Sequence, residues 1–418
     1  MKTTTQRKTW LFLCIAALFL FQDKLQDWFP VFTYYDELFA LSAVPLFAMR
    51  LVQKNNPLQP TRENKLFLFF LGIFWLFGWM GHFVYHYQPL TAAAKDAFVN
   101  VKFFLSVTAA FLLFAGDAFD YVQFKKVLWP VLNTVTAVLF LLCVCDLVFQ
   151  IFPGGTRGGM RTVKLYYSAY TVLVGLCVLL SSIYLWFYDT QKNRIIPPLL
   201  MLSFIMVMTG RVKAVGVVAC ILMVYLLVLR RHQKLSRKMK IFAGSVLCIS
   251  GVIAVFQLIF YYYSMGLQSA RAVLTVAAPF LAKDHFPFGT GWATFGSAFS
   301  AEPYSPIYDI YQLRLVWGLS PGNHEFISDT YWPMLMGQCG FLGFFAFLAA
   351  LFLFCKKVFA LRRNSVIFAS ALLPMLYLFI SSTSETAFAN PIAVPLGFWL
   401  GLLFAQFQAE SATRERLQ

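Results

Sequence analysis

The sequence predicts an all-α polytopic membrane protein of about twelve transmembrane helices, with one large extracytoplasmic loop between the ninth and tenth. Three observations predict this class. Of 418 residues, 60% are hydrophobic and only 12% are charged, which is far too apolar for a soluble globular protein. Apolar segments of membrane length recur along the whole chain. The strongly basic connections between these segments all fall on one side, as the positive-inside rule requires.

The predicted spans follow from the requirement that a transmembrane helix contain about 20 mainly apolar residues. They are 9–22, 29–49, 66–85, 97–115, 127–151, 166–188, 195–209, 212–229, 241–263, 331–354, 365–381 and 391–408. The basic start and the first apolar run resemble a signal peptide, but no small-residue cleavage site follows. We therefore interpret this run as a retained first helix and predict that both termini are cytoplasmic.

The predicted helices divide the chain into three parts. Residues 1–263 contain helices one to nine, residues 264–330 form the large loop with the candidate catalytic residues, and residues 331–418 contain the last three helices and the cytoplasmic C-terminus. The loop is rich in proline, glycine and aromatic residues, which indicates ordered turns and short helices. The sequence contains no internal repeat, which disfavours transporter folds built from symmetric halves.

The net charge of +16 would suggest a nucleic-acid ligand in a soluble protein. Here most lysines and arginines serve the membrane topology, so no nucleic-acid partner is predicted. The cysteines lie in apolar runs without the paired spacing of metal ligands. The sequence therefore predicts neither a metal site nor a disulfide framework.

Basic residues on the predicted outer side need an explanation, because the positive-inside rule disfavours them there. Arg211 and Lys213 lie in a very short turn between two apolar segments, and Arg271 opens the large loop. An outward cation indicates an anionic ligand, and a planar guanidinium suits bidentate binding of phosphate. The alternative is a charged side chain that extends to the interface from a helix end. We favour that alternative for Lys213 and ligand binding for Arg211; for Arg271 both interpretations stay open.

A histidine and two carboxylates precede the tenth predicted span: His324, Glu325 and Asp329. We predict that one of them is the general base that deprotonates an acceptor hydroxyl, for which histidine or a perturbed carboxylate is suitable. The alternative for Asp329 is that it caps the following helix, since aspartate is a favoured N-cap residue.

Glycine and aromatic residues form a second group of candidates. Closely spaced glycines allow a tight turn, and aromatic rings can cover the face of a sugar. The residues predicted to bind sugar or to shape the loop are His285, Gly289, Gly291, Trp292 and Tyr331.

These features resemble the bacterial O-antigen polymerase and ligase superfamily, integral membrane glycosyltransferases of the GT-C type. The resemblance covers the topology of the whole chain and motifs in its second half. The motifs are Thr209-Gly210-Arg211, Arg271, the glycine element from Pro287 to Phe295, and Asp329-Thr330-Tyr331 leading to Gly340-Phe341-Leu342-Gly343. The resemblance implies that Arg211 and Arg271, with Lys213 beside them, hold the diphosphate of an undecaprenyl-linked glycan without a metal or cofactor.

The resemblance implies an inverting enzyme of the bacterial inner membrane that polymerises lipid-linked repeat units into O-antigen, capsule or exopolysaccharide. Ligases typically place histidine followed by Asn or Ser where this chain has Asp329, which favours a polymerase. A ligase that transfers the glycan to lipid A core is the first alternative, and a lipid-linked oligosaccharide flippase or other transporter is the second. The implied partners are the undecaprenyl-diphosphate-linked glycan, membrane lipid, a flippase and a chain-length regulator.

Overall fold

The computed structural model describes residues 2–52, 61–116, 119–192, 194–230 and 259–417, with scattered positions between 237 and 256. The regular secondary structure of the described chain is helical apart from a two-stranded antiparallel hairpin, β1 (Gly155–Arg157) and β2 (Met160–Thr162). The protein is therefore all-α in its architecture, as predicted.

The helices are numbered in chain order. The first eight are α1 (Lys2–Trp28), α2 (Tyr35–Leu41), α3 (Ala43–Val52), α4 (Arg62–Tyr85), α5 (Leu90–Val99), α6 (Lys102–Phe114), α7 (Tyr121–Phe149) and α8 (Tyr170–Trp186). The remaining eight are α9 (Tyr188–Gln191), α10 (Ile196–Met208), α11 (Val212–Val224), α12 (Ala270–Asp284), α13 (Ile307–Ile310), α14 (Tyr331–Ala360), α15 (Ser365–Ser381) and α16 (Ala393–Leu417).

Among the described residues, five helical segments are long and apolar enough to cross a membrane. They are Thr4–Trp28, Arg62–Tyr85, Tyr121–Phe149, Val212–Leu229 and Tyr331–Arg363. The pair α5 and α6 would make a sixth span, although the two helices meet at an angle of 53°. Several apolar helices of membrane length indicate a multi-pass membrane protein.

The prediction of twelve spans is wrong, because continuous apolar sequence does not require a continuous long helix. Predicted span 29–49 is divided between the short helices α2 and α3. Helices α8, α10 and α15 contain only 17, 13 and 17 residues, which is short for the hydrocarbon core of a bilayer. The second half of α16 contains charged and amide side chains. Predicted span 241–263 lies partly outside the described residues, which include only 13 of its 23 positions.

The two ends of the helix bundle carry different polar contacts. Basic residues from connections predicted to be cytoplasmic bind partners at one end. Three contacts show this arrangement: Lys356 Nζ to Glu63 Oε1 (2.6 Å), Lys125 Nζ to Asp189 Oδ1 (2.7 Å) and Arg50 Nη2 to the Leu112 carbonyl (2.8 Å). The end of α10 and the starts of α11 and α14 lie at the other end.

The large loop inserts its backbone into a break in α14. Gly340 has φ 65° and ψ −179°, which interrupts the helix. The amide N–H of Thr290 donates to the carbonyl of Gly337 (3.0 Å), and that of Gly291 donates to Gln338 (2.9 Å). The break lies about 13 Å along the helix from its start, at about 1.5 Å per residue. The loop thus satisfies carbonyls that would be costly to leave unpaired in an apolar interior.

The buried carboxylate of Asp96 in α5 holds the next part of this loop. Its Oδ2 accepts a hydrogen bond from the amide of Ala293 (2.7 Å), and its Oδ1 accepts one from the Ser297 hydroxyl (2.6 Å). Asn100 donates to the same carboxylate (3.3 Å). Since a buried carboxylate needs such partners, Asp96 and the loop stabilise each other.

We expect Gly291→Ala to lower the stability of the protein. Gly291 has φ +92°, and a Cβ there would collide with the backbone of Gly81 and His82 on α4. Backbone strain together with overpacking predicts a loss of about 2 kcal/mol or more, measured as a lower melting temperature in detergent. The control is Gly322→Ala in the same loop, where a Cβ would meet no atom within 4 Å. Equal melting temperatures for the two variants would contradict the proposed loop insertion.

Candidate functional site

An arginine from the start of α12 contacts the aspartate that precedes α14. Arg271 donates from Nε (3.1 Å) and from Nη2 (3.0 Å), and both hydrogen bonds end on Oδ2 of Asp329. Each side chain is 23% exposed, so the pair lies at a partly open surface. Charge-assisted hydrogen bonds of this kind are about twice as strong as neutral ones. The ion pair therefore fixes both residues at the same end of the bundle.

A second ion pair lies beside the first. Lys213 Nζ, in the first turn of α11, is 2.6 Å from Glu385 Oε1 in the connection between α15 and α16. Both side chains are 12% exposed. The charge of Lys213 interacts with those of Arg271 and Arg211, so the two ion pairs and Arg211 form one cluster.

Arg211 is positioned by the turn between α10 and α11. Gly210 has φ +65°, which allows the chain to reverse within two residues. Arg211 then adopts an extended conformation at the N-cap of α11, and its guanidinium lies over the Tyr170 ring, 4.7 Å from the centroid. Its charge interacts with those of Asp329 and Glu385. No carboxylate forms an ion pair with Arg211 within the described ranges of the chain.

The environment changes the pKa of Asp329 and the pKa of Arg211. Burial raises the pKa of Asp329 above its usual value, and the neighbouring Arg271 only partly offsets this rise. Burial also lowers the pKa of Arg211, although an arginine stays protonated in proteins. The cluster thus combines fixed cations with a carboxylate whose affinity for a proton is increased.

The cluster can bind an anion and can accept a proton. Arg211, Lys213 and Arg271 supply three positive charges against the two carboxylates of Asp329 and Glu385. The net charge of +1 favours an anionic ligand, and guanidinium groups suit phosphate oxygens. Six residues were predicted from sequence to bind diphosphate or to supply the base, and four of them lie in this cluster: Arg211, Lys213, Arg271 and Asp329.

His324 and Glu325 lie on a more exposed part of the loop. His324 Nε2 is 3.6 Å from Glu302 Oε1, and its Nδ1 is 3.4 Å from the Pro321 carbonyl. Glu325 is exposed. Among the described residues, neither side chain forms an ion pair or hydrogen bond with Arg271 or Asp329.

The predicted sugar-binding residues of the loop are packed in the interior. His285 is held between the Tyr87 hydroxyl (3.0 Å) and the Leu281 carbonyl (3.0 Å). Gly289 and Gly291 lie against the backbones of α14 and α4, where no side chain would fit. Trp292 is fully buried and donates to the Trp75 carbonyl (3.3 Å). These contacts favour the loop-shaping interpretation over direct contact with a sugar.

Tyr331, at the start of α14, is also fully buried. Its ring stacks on Phe388 with 5.4 Å between centroids, and its amide donates to the Ser382 carbonyl (3.4 Å). The residue joins the start of α14 to the connection that carries Glu385. Because Tyr331 lies two residues after Asp329 in the chain, these contacts help to fix the position of Asp329.

Two polar groups that sequence reasoning did not assign prove to be structural partners. Glu385 was visible only as part of a polar connection, and Asp96 had no distinguishing motif. Lys102, the main charge within the predicted spans, is buried and binds Asp36 Oδ2 (2.6 Å) and Glu37 Oε1 (3.1 Å). A buried lysine in an apolar helix needs such a partner, and this signal could have linked Lys102 to the acids of α2.

The fold and the cluster define a multi-helical protein with several membrane-length apolar helices and a cation-rich site at one end. Within the described part of the chain, no group of three or more His, Cys, Asp or Glu side chains is arranged to hold a metal ion. The chain matches no protein-family model, no curated protein and no solved structure.

We expect Lys213→Gln and Glu385→Gln to have opposite effects on anion binding. Removal of the lysine weakens binding of inorganic pyrophosphate, whereas removal of the carboxylate raises the net charge of the cluster and strengthens it. A unit charge at a partly buried site predicts a change of about threefold to tenfold in each direction. Isothermal titration calorimetry of the purified protein measures the dissociation constants. Weaker binding in both variants, with unchanged melting temperatures, would contradict this prediction.

Proposed function

We propose that the protein is an extracytoplasmic glycosyltransferase that polymerises undecaprenyl-diphosphate-linked oligosaccharide repeat units. The observation that carries this proposal is the convergence of Arg211, Lys213 and Arg271 with Asp329 in one partly open cluster. These residues come from three separate regions of the chain. The cluster lies at the end of the bundle opposite Lys125 and Lys356, which supports its assignment to the extracytoplasmic side.

In the proposed reaction, a hydroxyl oxygen of the acceptor sugar attacks the anomeric carbon of the donor glycan. The bond between that carbon and the phosphate oxygen breaks, and undecaprenyl diphosphate leaves with the electron pair. The guanidiniums of Arg211 and Arg271 and the ammonium of Lys213 stabilise the charge that develops on the leaving phosphate. One new glycosidic bond replaces one glycosyl phosphate bond, with inversion at the anomeric carbon.

Asp329 accepts the proton of the attacking hydroxyl in this proposal. Both hydrogen bonds from Arg271 end on Oδ2, and within the described residues no side chain binds Oδ1. Oδ1 is therefore the oxygen that takes the proton. Its raised pKa increases its basicity while the adjacent cation keeps part of the population ionised.

The first test measures polymerisation of purified undecaprenyl-diphosphate repeat units by the full-length protein in detergent, with EDTA present. We expect wild type to give a ladder of products, and Arg211→Ala, Arg271→Ala and Asp329→Ala each to slow its formation by about 10²-fold or more, because each removes transition-state stabilisation or the base. The control is Arg314→Ala, which removes an exposed arginine paired with Asp309 outside the cluster.

The absence of a ladder from folded wild-type protein on its native substrate would refute the polymerase proposal. Transfer of the glycan to lipid A core under the same conditions would identify a ligase instead. Loss of the ladder in EDTA alone would contradict the metal-independent mechanism.

We expect the rate to rise with pH through the pKa of Asp329, because only the ionised carboxylate accepts a proton. Arg271 lowers that pKa, so Arg271→Gln should move the acidic limb of the kcat/KM profile to higher pH as well as reduce the maximum. Asp329→Asn should remove the limb. An acidic limb at the same pH in wild type and Arg271→Gln would rule out Asp329 as the titrating base.

A further inference from the structure

The β-hairpin formed by β1 and β2 lies on the turn that carries Arg211. The amide of Val163, directly after β2, donates to the Met208 carbonyl at the end of α10 (2.8 Å). Arg157, at the end of β1, donates from Nη1 to the carbonyl of Gly210 (3.1 Å). The hairpin therefore places a second arginine on the residue that precedes Arg211.

The base of the hairpin is held by a buried ion pair. Arg161 donates from Nη2 to Oδ1 of Asp146 (2.9 Å) and to the Phe152 carbonyl (2.7 Å). The Asp146 side chain is only 1% exposed. Thr162 also donates to the Gly155 carbonyl across the strands (2.9 Å). These contacts hold the hairpin in a fixed position at the end of α7.

Arg157 and Arg211 form a pair of like charges without a carboxylate. Within the described ranges, neither guanidinium forms an ion pair, whereas Arg161, Arg271 and Arg314 each do. After burial, the charge of Arg157 is the largest influence that lowers the pKa of Arg211. Two adjacent guanidiniums repel each other, and an anion bound between them would offset this repulsion.

The hairpin arginine extends the cluster of cations described above. Arg211 interacts with the charge of Arg157, and Lys213 interacts with the charges of both Arg211 and Arg271. The four cations therefore lie near one another between the hairpin and α12. With Asp329 and Glu385 their net charge is +2, which equals the charge needed to neutralise a diphosphate diester.

We infer that Arg157 is a fourth cation of the anion site. Arg157 and Arg211 bind one phosphate group of a diphosphate, and Lys213 and Arg271 bind the other. This inference rests on the proposed function. It assigns a binding role to a hairpin that lies outside the motifs that carry the family resemblance. It also specifies that the site distinguishes two linked phosphates from one.

The test compares binding of inorganic pyrophosphate and inorganic phosphate to the purified full-length protein by isothermal titration calorimetry. We expect wild type to bind pyrophosphate more tightly than phosphate. Arg157→Gln should weaken pyrophosphate binding by about tenfold, as for loss of one charge-assisted hydrogen bond, and should reduce the preference for pyrophosphate. The glutamine amide keeps a donor for the Gly210 carbonyl, so the fold is preserved. Arg157→Lys should retain part of the affinity.

The matched control is Arg314→Gln, which removes an exposed loop arginine and should leave both affinities unchanged. If Arg157→Gln binds pyrophosphate like wild type while Arg211→Gln and Arg271→Gln bind it weakly, the inference is overturned and the proposed function stands. If folded wild-type protein does not bind pyrophosphate at all, both fail. A loss of affinity in Arg157→Gln equal to that in Arg314→Gln would show only a general charge effect and would also overturn the inference.

Discussion

The insertion of the loop backbone into the break of α14 is the constraint on which the site depends. The amides of Thr290 and Gly291 donate to the carbonyls of Gly337 and Gln338, in place of amides of the helix itself. An unpaired carbonyl is costly in an apolar interior, so the break and the loop must form together. Because α12 precedes the inserted segment and Asp329 follows it within the same large loop, the insertion constrains the positions of both partners of the Arg271 ion pair.

The ionic groups of the protein divide into two kinds according to their partners. Lys102 is buried and neutralised by acids of α2, and Arg161 is neutralised by Asp146. Such pairs stabilise positions of the chain that would otherwise carry an isolated charge. Arg211 lies on the turn after α10 and Arg157 lies on the hairpin that contacts this turn, and neither forms an ion pair within the described ranges. This contrast, rather than the number of cations, is the basis for the proposed anion site.

The candidate residues predicted from sequence fall into two groups, those in the cluster and those packed in the interior. Arg211, Lys213, Arg271 and Asp329 come together, and Lys213 forms an ion pair with Glu385. Gly289, Gly291 and Trp292 pack against α4 and α14 instead, and His285 is held by Tyr87 and Leu281. A sequence pattern of glycine and aromatic residues is the same for a sugar-binding surface and for a tightly packed loop. Only the neighbours of each side chain distinguish the two.

The sequence by itself determined the membrane class, the separation of basic connections from the other end of the bundle, and the basic residues that the positive-inside rule does not explain. These properties depend on composition and on local order along the chain, which hydropathy and charge report directly. The tertiary structure decided the number of membrane-length helices, because bends and early helix ends do not interrupt apolar sequence. It also decided the pairing of Arg271 with Asp329 and of Lys213 with Glu385. Those contacts join distant segments, and their geometry depends on the packing of helices that no local pattern specifies.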